Sequence, residues 1–338
     1  MSPIPIFLIS DEKYAPYMCV TIASILENTK RNCDIFILDG GIKADTQQKI
    51  EACAQKYQHL QHIEFIRIDI EKFAQFPDLM HFSLNMYSRY LIPELKPELN
   101  KALYIDSDMI ITADVGKLFD CDLNEKPLAA VPYRDERPDL AYMRSADEHI
   151  ELGLSKEHLY FNSGLLIFDC QQFRTKNWVN KLFEITGKYA KVLKYPDQDA
   201  LNILVNGNYH VLDDEWNAVV DINIAYNIVP DTLPAVLHFT GGSNTRPWMS
   251  LSCPYREIFD AYASSTPFAN EIYTQRVEHE ICEMKSILAK VAQEEYNRKR
   301  FPLYRIWMRL TGQRKKNQHA YTQWARLLSR LSPPRQYF

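Results

Sequence analysis

Ala102-Leu-Tyr-Ile-Asp106-Ser-Asp108-Met-Ile-Ile111 is an apolar run that is interrupted by two carboxylates and then resumes. The flanks predict a buried strand, where two unpaired charges are costly to desolvate, so we expect a cation beside them. Side chains at i and i+2 of an extended segment leave on the same face, so Asp106 and Asp108 can share one hard cation such as Mg²⁺ or Mn²⁺. The alternative is a strand end that turns into a loop, where Asp is a common residue.

Upstream of this stretch, short β-prone runs alternate with helical patterns. The β-prone runs cover residues 3–9, 33–38 and 62–68, and the helical patterns cover residues 16–26 and 44–57. This alternation predicts an α/β fold with an open, mostly parallel nucleotide-binding sheet and ligands outside the carboxyl ends of its strands. Asp11 and the Asp106–Asp108 pair both follow such ends. The chain has no G-x-G-x-x-G and no G-x-x-x-x-G-K-[ST] pattern, which argues against a dinucleotide fingerprint and a P-loop.

The same alternation continues downstream of the two carboxylates. It predicts helices over residues 83–91 and 178–189, strands over 128–133, 160–168 and 235–242, and a loop over 195–199 that leads into a helix from residue 200. Residues 134–145 are polar and lack periodicity, as expected of a lid or acceptor loop.

The bulk composition is that of a globular protein. Of the 338 residues, 46% are hydrophobic and 24% charged, which allows one large α/β domain or a domain of about 250 residues with an extension. The seven cysteines include no C-x-x-C pair, which argues against a disulfide framework or a zinc knuckle and favours a reducing compartment. The first ten residues lack signal-peptide features, and no apolar run approaches the roughly 20 residues needed to span a bilayer. We therefore expect a cytoplasmic location.

The charge is unevenly distributed along the chain. The net charge is −4, yet residues 298–338 contain eleven Lys or Arg and no Asp or Glu, which leaves 28 of the 39 basic residues against 43 acidic ones elsewhere. We divide the chain into a main domain, residues 1–267, and a helical, basic extension, residues 268–338. A basic tail binds anions, either lipid headgroups or nucleic acid, unless it is simply a solvated arm. Trp307 and Trp324 lie on apolar faces opposite Arg, which favours an anionic membrane surface over nucleic acid.

The start of the extension carries one apolar stripe. Its members step by four and three residues: Val277, Ile281, Met284, Leu288 and Val291. This spacing predicts one long helix whose stripe packs back on the domain or pairs with a second copy of the chain.

Six short motifs occur in the order that they have in glycosyltransferase family 8, which the sequence resembles from about residue 6 to residue 248. They are Ser10-Asp11 with Tyr14-Ala15, Tyr87-Ser-Arg89, Tyr104-Ile-Asp-Ser-Asp108, Phe161-Asn-Ser-Gly164, Asp197-Gln-Asp199, and His238-Phe-Thr-Gly241 with Arg246-Pro-Trp248. Each motif alone is weak, whereas six in register are specific. The resemblance implies a fold of the GT-A type and a retaining, metal-dependent enzyme that transfers a hexose from a UDP-sugar.

The resemblance also implies a role for each matching residue. Asp106, Asp108 and His238 are implied as ligands of Mn²⁺ or Mg²⁺, with the donor diphosphate in the remaining positions. Three further residues are assigned to the donor: His81, Gly241 and Arg246. Arg246 replaces a Lys of the family pattern, which keeps the charge but alters the geometry. For His238 the alternative is a hydrogen-bonded core histidine.

The nucleoside and the sugar of the donor are assigned to other matching positions. Asp11 is implied to accept from the uracil N3–H and Tyr14 to stack on the ring, whereas Lys13 stands where the family often has Asn for the ribose contact. Four residues are implied to grip the donor sugar: Arg89, Asn162, Asp197 and Gln198. The alternative role for both Asp11 and Asp197 is a helix N-cap.

Gln198 bears on the mechanism that the resemblance implies. An amide is a poor nucleophile, and the neighbouring carboxylates are assigned to the metal and to sugar hydroxyls. We therefore favour front-face transfer, in which the donor phosphate assists the acceptor hydroxyl, over double displacement.

Together these features predict an enzyme that moves galactose or glucose from a UDP-sugar to a glycolipid, lipooligosaccharide or lipopolysaccharide core, at the inner face of the cytoplasmic membrane. Tyr133, Arg134 and Tyr195 are assigned to the acceptor side. One alternative is a non-catalytic sugar-nucleotide or membrane-binding module. Another is a phosphohydrolase with Asp-x-Asp on its first strand, which fits poorly because Asp108 lies near residue 100 and is followed by Met109.

Overall fold

The apolar runs of the first 240 residues form the strands of a seven-stranded sheet. Its strands are β1 (Ile4–Ser10), β2 (Cys33–Asp39), β3 (Leu60–Arg67), β4 (Lys101–Ile105), β6 (Leu128–Pro132), β7 (Phe161–Asp169) and β8 (His210–Val211). They lie in the order β3-β2-β1-β4-β7-β6-β8. β7 is antiparallel to both of its neighbours, and the other six strands run in one direction. The prediction of an open, mostly parallel α/β sheet is confirmed.

The computed structural model describes residues 2–77, 84–133, 150–155, 158–225 and 231–300. His81, Arg134 and the basic segment 301–338 lie outside the described residues. The chain divides into two units: Met1–Thr240 with Ala261–Phe268, and Gly241–Asp260 with the chain from Ala269 onward. The boundary that we predict at residue 267 stays a prediction.

A second, smaller sheet lies in the first unit. It consists of β5 (Met109–Ile111), β10 (Val236–His238) and β9 (Ala218–Val219), in that order. β10 is antiparallel to β5, so that His238 pairs with Met109, and parallel to β9, so that His238 pairs with Val219. This sheet brings a histidine 130 residues downstream to the end of the Asp106–Asp108 stretch.

Ten helices complete the described part of the chain. They are α1 (Ala15–Asn28), α2 (Ala44–Ala54), α3 (Ile92–Leu95), α4 (Val115–Phe119), α5 (Cys170–Thr175), α6 (Trp178–Tyr189), α7 (Pro196–Val205), α8 (Val220–Ala225), α9 (Arg256–Ala263) and α10 (Ala269–Arg300). Short 3-10 helices cover Ile70–Phe73, Leu84–Leu91, Asp214–Asn217 and Ser243–Thr245. The prediction of a loop over residues 195–199 is wrong, because α7 already begins at Pro196. Proline is well suited to the first turn of a helix.

The core of the first unit is rich in aromatic side chains. Phe7, Tyr104, Phe161 and Phe168 of the main sheet and Tyr87 of the Leu84–Leu91 helix belong to one buried cluster, and none is more than 1% exposed. Burial of side chains of this size stabilises a domain strongly. It also fixes the ends of β4 and β7, from which the residues of the candidate site project.

The second unit contains the long helix that the apolar stripe predicts, but a different face of it is buried. Buried positions include Ile272, Arg276 and Glu280, and Arg276 forms an ion pair with Asp260 at 2.5 Å. Two members of the predicted stripe are exposed, Ile281 by 43% and Leu288 by 46%. The prediction that the stripe packs against the domain is therefore wrong for these two residues. The alternative, that the stripe pairs with a second copy of the chain, stays a prediction. Among the described residues, no helix is both long and apolar enough to cross a bilayer.

Candidate active site

The Asp106–Asp108 loop is held by three neighbouring strands. The backbone N–H of Asp106 donates to the carbonyl of Gly164, just inside β7, at 2.8 Å. The Ser107 hydroxyl donates to the carbonyl of Ile9 in β1, and the N–H of Phe239, after β10, donates to the carbonyl of Asp108 at 3.0 Å. The loop between β4 and β5 is thus fixed at the carboxyl end of the main sheet, where α/β folds bind ligands.

Helix α1 holds the same stretch through polar side chains on its buried face. The Thr21 hydroxyl lies 3.0 Å from the Ser107 carbonyl and 2.8 Å from the Met109 carbonyl. Further along β5, the N–H of Ile111 donates to the Ser24 hydroxyl at 3.0 Å, and the amide of Asn28 donates to the carbonyl of Ile111 at 3.0 Å. Our sequence reasoning missed these residues. The signal was available, because Thr21, Ser24 and Asn28 recur every three to four residues in a mostly apolar helix.

Asp106, Asp108 and His238 bring one ligand atom each to a single point. These atoms all lie within 4.8 Å of one another. Nε2 of His238 is 3.3 Å from a carboxylate oxygen of Asp108 and 3.8 Å from one of Asp106. Two carboxylates and one imidazole form a donor set that suits Mn²⁺ well and Mg²⁺ less well, since Mg²⁺ prefers oxygen ligands.

The cluster of Asp106, Asp108 and His238 contains more negative than positive charge. Burial raises the pKa of Asp106 above its ordinary value. The positive charge of Arg89 opposes this shift, and the negative charge of Asp108 adds to it. Burial lowers the pKa of His238, but the carboxylates of Asp108 and Asp106 more than offset this and raise it. Nearby, one carboxylate oxygen of Asp221 is buried without a hydrogen-bond partner among the described residues. A divalent cation would satisfy this excess of negative charge, so the residues present fit one.

Gly164 leaves the space that the cluster needs. A Cβ at this position would lie 2.5 Å from Cε1 of His238 and 2.8 Å from Oδ2 of Asp106. Both distances are shorter than van der Waals contact, and both atoms belong to side chains that are fixed by neighbours. The sequence motif contains this glycine, but only the structure gives the reason for it.

We expect Gly164→Ala to lower Mn²⁺ affinity by about 10- to 100-fold, because the added methyl displaces His238 or Asp106 from its position. Titration of the full chain with Mn²⁺, followed by electron paramagnetic resonance (EPR), measures the change. Gly187→Ala is the matched control, since a Cβ there meets nothing within 4 Å and Gly187 lies inside α6. Equal Mn²⁺ affinity in both variants would contradict the steric argument.

Arg89 links this cluster to α7. It is 6% exposed, and its Nη1 lies 2.8 Å from Asp197 while its Nη2 lies 3.1 Å from Asp106. Nη1 also donates to the carbonyl and the hydroxyl of Ser163 at 2.9 and 2.7 Å, and the guanidinium carbon is 4.6 Å from the centre of the Tyr104 ring. Burial lowers the pKa of Arg89, but the charge of Asp197 and further anionic neighbours raise it above its ordinary value. Arg89 is therefore a fixed positive charge between two carboxylates.

The first turn of α7 presents Asp197 and Gln198 to the start of β7. The Gln198 carbonyl oxygen accepts from the Asn162 amide and from the Ser163 N–H, both at 3.1 Å, and its amide nitrogen donates to the Tyr160 hydroxyl at 3.1 Å. Asp197 accepts from the Ser163 hydroxyl at 3.2 Å. The N-cap of α7 is Tyr195, so the alternative role of Asp197 as an N-cap is wrong.

Asp11 follows β1 at the same edge of the sheet. Its carboxylate accepts from the Tyr14 backbone N–H at 2.9 Å, which shapes the turn into α1. Asp11 lies two residues after Ile9, whose carbonyl accepts from Ser107. The Tyr14 ring meets Tyr17 edge to face at 5.6 Å between centres. The N-cap of α1 is Tyr14, so the alternative role of Asp11 as the N-cap is wrong, and its carboxylate instead stabilises the turn before the helix.

The remaining predicted residues fall in different places. Gly241 and Arg246 belong to the second unit, where Gly241 has φ of +82° and the N–H of Arg246 donates to the carbonyl of Ser243 at 3.3 Å. Their assignment to the diphosphate stays a prediction. On the acceptor side, the Tyr133 hydroxyl accepts from the Asn162 amide at 2.9 Å, and Tyr195 is the N-cap residue of α7. His81 and Arg134 are not among the described residues.

Comparisons with known proteins agree with this geometry. Residues 5–252 match the family described as "Glycosyl transferase family 8". General stress protein A of Bacillus subtilis is 29% identical over 276 residues, which cover 76% of this chain and 92% of that protein. The lipopolysaccharide 1,2-glucosyltransferase of Escherichia coli K12 is 29% identical over 250 residues, which cover 70% of each chain.

A solved structure is similar to this chain in both fold and sequence. The galactosyltransferase LgtC, in complex with donor and acceptor sugar analogs, is 27% identical, and the similarity covers 78% of this chain and 96% of that one with a TM-score of 0.68. The match to the family spans well over half of the chain, and the structural match includes the main sheet expected of a GT-A fold. The chain therefore belongs to glycosyltransferase family 8.

Proposed function

We propose that this glycosyltransferase transfers galactose or glucose from a UDP-sugar to a glycolipid acceptor, such as a lipooligosaccharide or lipopolysaccharide core, with a divalent metal and with retention of the anomeric configuration. One observation carries the proposal: Asp106, Asp108 and His238 converge on one point, and Arg89 joins that point to Asp197 at the start of α7. A polar, charged cluster of this kind at the carboxyl end of a parallel sheet suits a nucleotide sugar.

The chemistry of the donor explains the charges. The bond between the anomeric carbon and the diphosphate breaks, so catalysis needs positive charge near the leaving phosphates. Asp106, Asp108 and His238 would hold Mn²⁺ or Mg²⁺, and the bound ion would act as a Lewis acid on the phosphates. Arg89 holds the Asp197 carboxylate in place to accept hydrogen bonds from hexose hydroxyls. Asp11 and Tyr14, at the end of the neighbouring strand, would receive the uridine.

The hydrogen bonds and ion pairs of the polar groups around α7 support front-face transfer. Both ends of the Gln198 amide are engaged within the protein, and Asp199 accepts from the Tyr160 hydroxyl and from the N–H groups of Lys194 and Tyr195. Asp197 is paired with Arg89. None of these groups is placed as a free nucleophile. Trapping with a slow donor analogue tests this, because a glycosylated Asp or Glu peptide would contradict it.

The test of the proposed function is release of UDP from UDP-galactose and UDP-glucose, with and without Mn²⁺. We expect slow, metal-dependent release from one of the two sugars, faster when a glycolipid acceptor is added. A non-catalytic sugar-nucleotide module would bind the donor without releasing UDP. Release that is unchanged by chelation of divalent ions would contradict the metal dependence alone.

The basic tail is proposed to bring the enzyme to the inner face of the cytoplasmic membrane. Its eleven basic residues and its two tryptophans suit an anionic surface, and each basic residue near such a surface contributes about 1 kcal/mol. The similarity to a lipopolysaccharide glucosyltransferase supports an acceptor at a membrane.

We expect the full chain to sediment with anionic liposomes at low salt and to be released at high salt, since screening weakens surface attraction. A chain that is truncated after about Gln293 should stay in solution. Neutral liposomes are the control for the lipid, and Trp307→Ala with Trp324→Ala separates the aromatic contribution from the charge. Equal sedimentation of the truncated chain would refute a role for the tail.

A further inference from the structure

We infer that Asn217 is a positioning residue that fixes the orientation and the proton of the His238 ring and joins it to the donor-side amides. The inference rests on the proposed function, because it concerns the metal and donor sites proposed above. Neither the motifs nor the resemblance assigns a role to Asn217.

The fold places Asn217 beside His238. Asn217 ends the Asp214–Asn217 helix and leads directly into β9, and β9 pairs in parallel with β10, which ends at His238. The side-chain oxygen of Asn217 lies 2.9 Å from Nδ1 of His238, and Asn217 is 5% exposed. A buried ring nitrogen needs a hydrogen-bond partner, and Asn217 supplies one.

The direction of each hydrogen bond follows from a backbone donor. The N–H of Gly164 donates to the side-chain oxygen of Asn162 at 2.9 Å, so this end of Asn162 is an acceptor. The Asn217 group that meets the same oxygen, also at 2.9 Å, must then be its NH₂. The opposite end of Asn217 is its carbonyl oxygen, which can only accept, so Nδ1 of His238 carries a proton. The ring therefore presents Nε2 to Asp106 and Asp108.

The same series of bonds reaches the donor sugar site. The NH₂ of Asn162 donates to the carbonyl oxygen of Gln198, which also accepts from the backbone N–H of Ser163. Two backbone donors, of Ser163 and Gly164, thus set the orientation of three side-chain amides in a row. Loss of Asn217 would leave Nδ1 of His238 and one end of Asn162 without these partners, and outer groups of this kind orient metal ligands strongly.

Two substitutions separate orientation from packing. Asn217→Ala removes both contacts, and we expect Mn²⁺ affinity to fall by about 10- to 100-fold. Asn217→Asp keeps an acceptor for Nδ1–H but presents a second acceptor to the Asn162 oxygen. We expect it to restore Mn²⁺ affinity to within about threefold of wild type, whereas the KM for the sugar donor rises about 10-fold or more, the cost of one lost hydrogen bond between buried polar groups.

EPR titration with Mn²⁺ alone measures affinity in the full chain, and pulsed EPR detects coupling to an imidazole nitrogen. Asn202→Ala is the matched control for Mn²⁺ affinity, since Asn202 is also a buried, hydrogen-bonded Asn but contacts the backbone of Phe161 and Gln198 and the ring of His158 instead of His238. Thermal denaturation of all variants checks folding. If Asn217→Ala fails to fold, Asn217→Asp still tests the inference through its contrast between Mn²⁺ affinity and KM.

The outcomes distinguish the inference from the proposed function. A wild-type chain that binds no Mn²⁺ contradicts the proposed metal site and the inference with it. A wild-type chain that binds Mn²⁺, with Asn217→Ala within twofold of it and with unchanged nitrogen coupling, overturns the inference alone. Failure of Asn217→Asp to restore affinity would likewise reduce Asn217 to a packing role.

Discussion

Asp108→Asn is expected to lower kcat/KM for the sugar donor by about 10²- to 10³-fold. The substitution keeps the shape of the side chain and removes its charge, at a carboxylate that lies 3.3 Å from Nε2 of His238. Loss of a charged ligand would weaken binding of the proposed cation, and stabilisation of a leaving diphosphate by such an ion is worth several kcal/mol. Initial rates of UDP release over a range of Mn²⁺ concentrations measure the effect.

Asp213→Asn is the control for this prediction. Asp213 is an exposed Asp before the Asp214–Asn217 helix, and its side chain makes no capping hydrogen bond. We expect it to change kcat/KM less than twofold. Saturating Mn²⁺ should recover part of the activity of Asp108→Asn, because the other two ligands remain. Wild-type rates in Asp108→Asn would show that the Asp106–Asp108–His238 cluster does not support the reaction.

Arg89→Met is expected to destabilise the chain by about 3–5 kcal/mol and to abolish measurable turnover. The substitution keeps much of the side-chain volume but leaves the buried carboxylate of Asp197 and the half-buried one of Asp106 without their shared counter-charge, and breaking a buried ion pair from one side has this cost. Urea denaturation, followed by tryptophan fluorescence, measures the free energy of unfolding.

Two further variants test the cause of that loss. Asp197→Asn in the Arg89→Met background should recover part of the stability, because it removes one of the unpaired charges. Lys49→Met breaks the exposed pair with Asp45 and should change the free energy of unfolding by less than about 0.5 kcal/mol. Equal losses in Arg89→Met and Lys49→Met would contradict the argument from burial.

The order of the elements could be predicted because their periodicity is local. The runs before Asp11 and Asp106 are almost wholly apolar, as strands covered on both faces must be, so the sequence predicts both strands and the sheet edge at which they end. Asp106 and Asp108 converge in a turn between β4 and β5, so the alternative of a strand end that turns into a loop is the one observed, and the extended segment predicted there is wrong.

Features that depend on contacts between distant segments could not be predicted in this way. Gly164 clears space for side chains from two other strands, and Asn217 is opposed to His238 only because β9 pairs with β10. Arg276 and Glu280 of α10 look like solvent-facing charges in the sequence, yet both are buried because Asp260 and Ser250 supply partners. An apolar stripe therefore failed to identify the buried face of this helix.

The polar face of α1 has a consequence for solubility. β5 is an edge strand of the three-stranded sheet and pairs with β10. An uncovered edge strand can pair with another chain and cause aggregation. Thr21, Ser24 and Asn28 form hydrogen bonds with the peptide groups of Met109 and Ile111 on that edge. Helix α1 thus supplies partners that a neighbouring strand would otherwise supply. We therefore expect the strand that follows the two carboxylates to be protected from pairing with another chain.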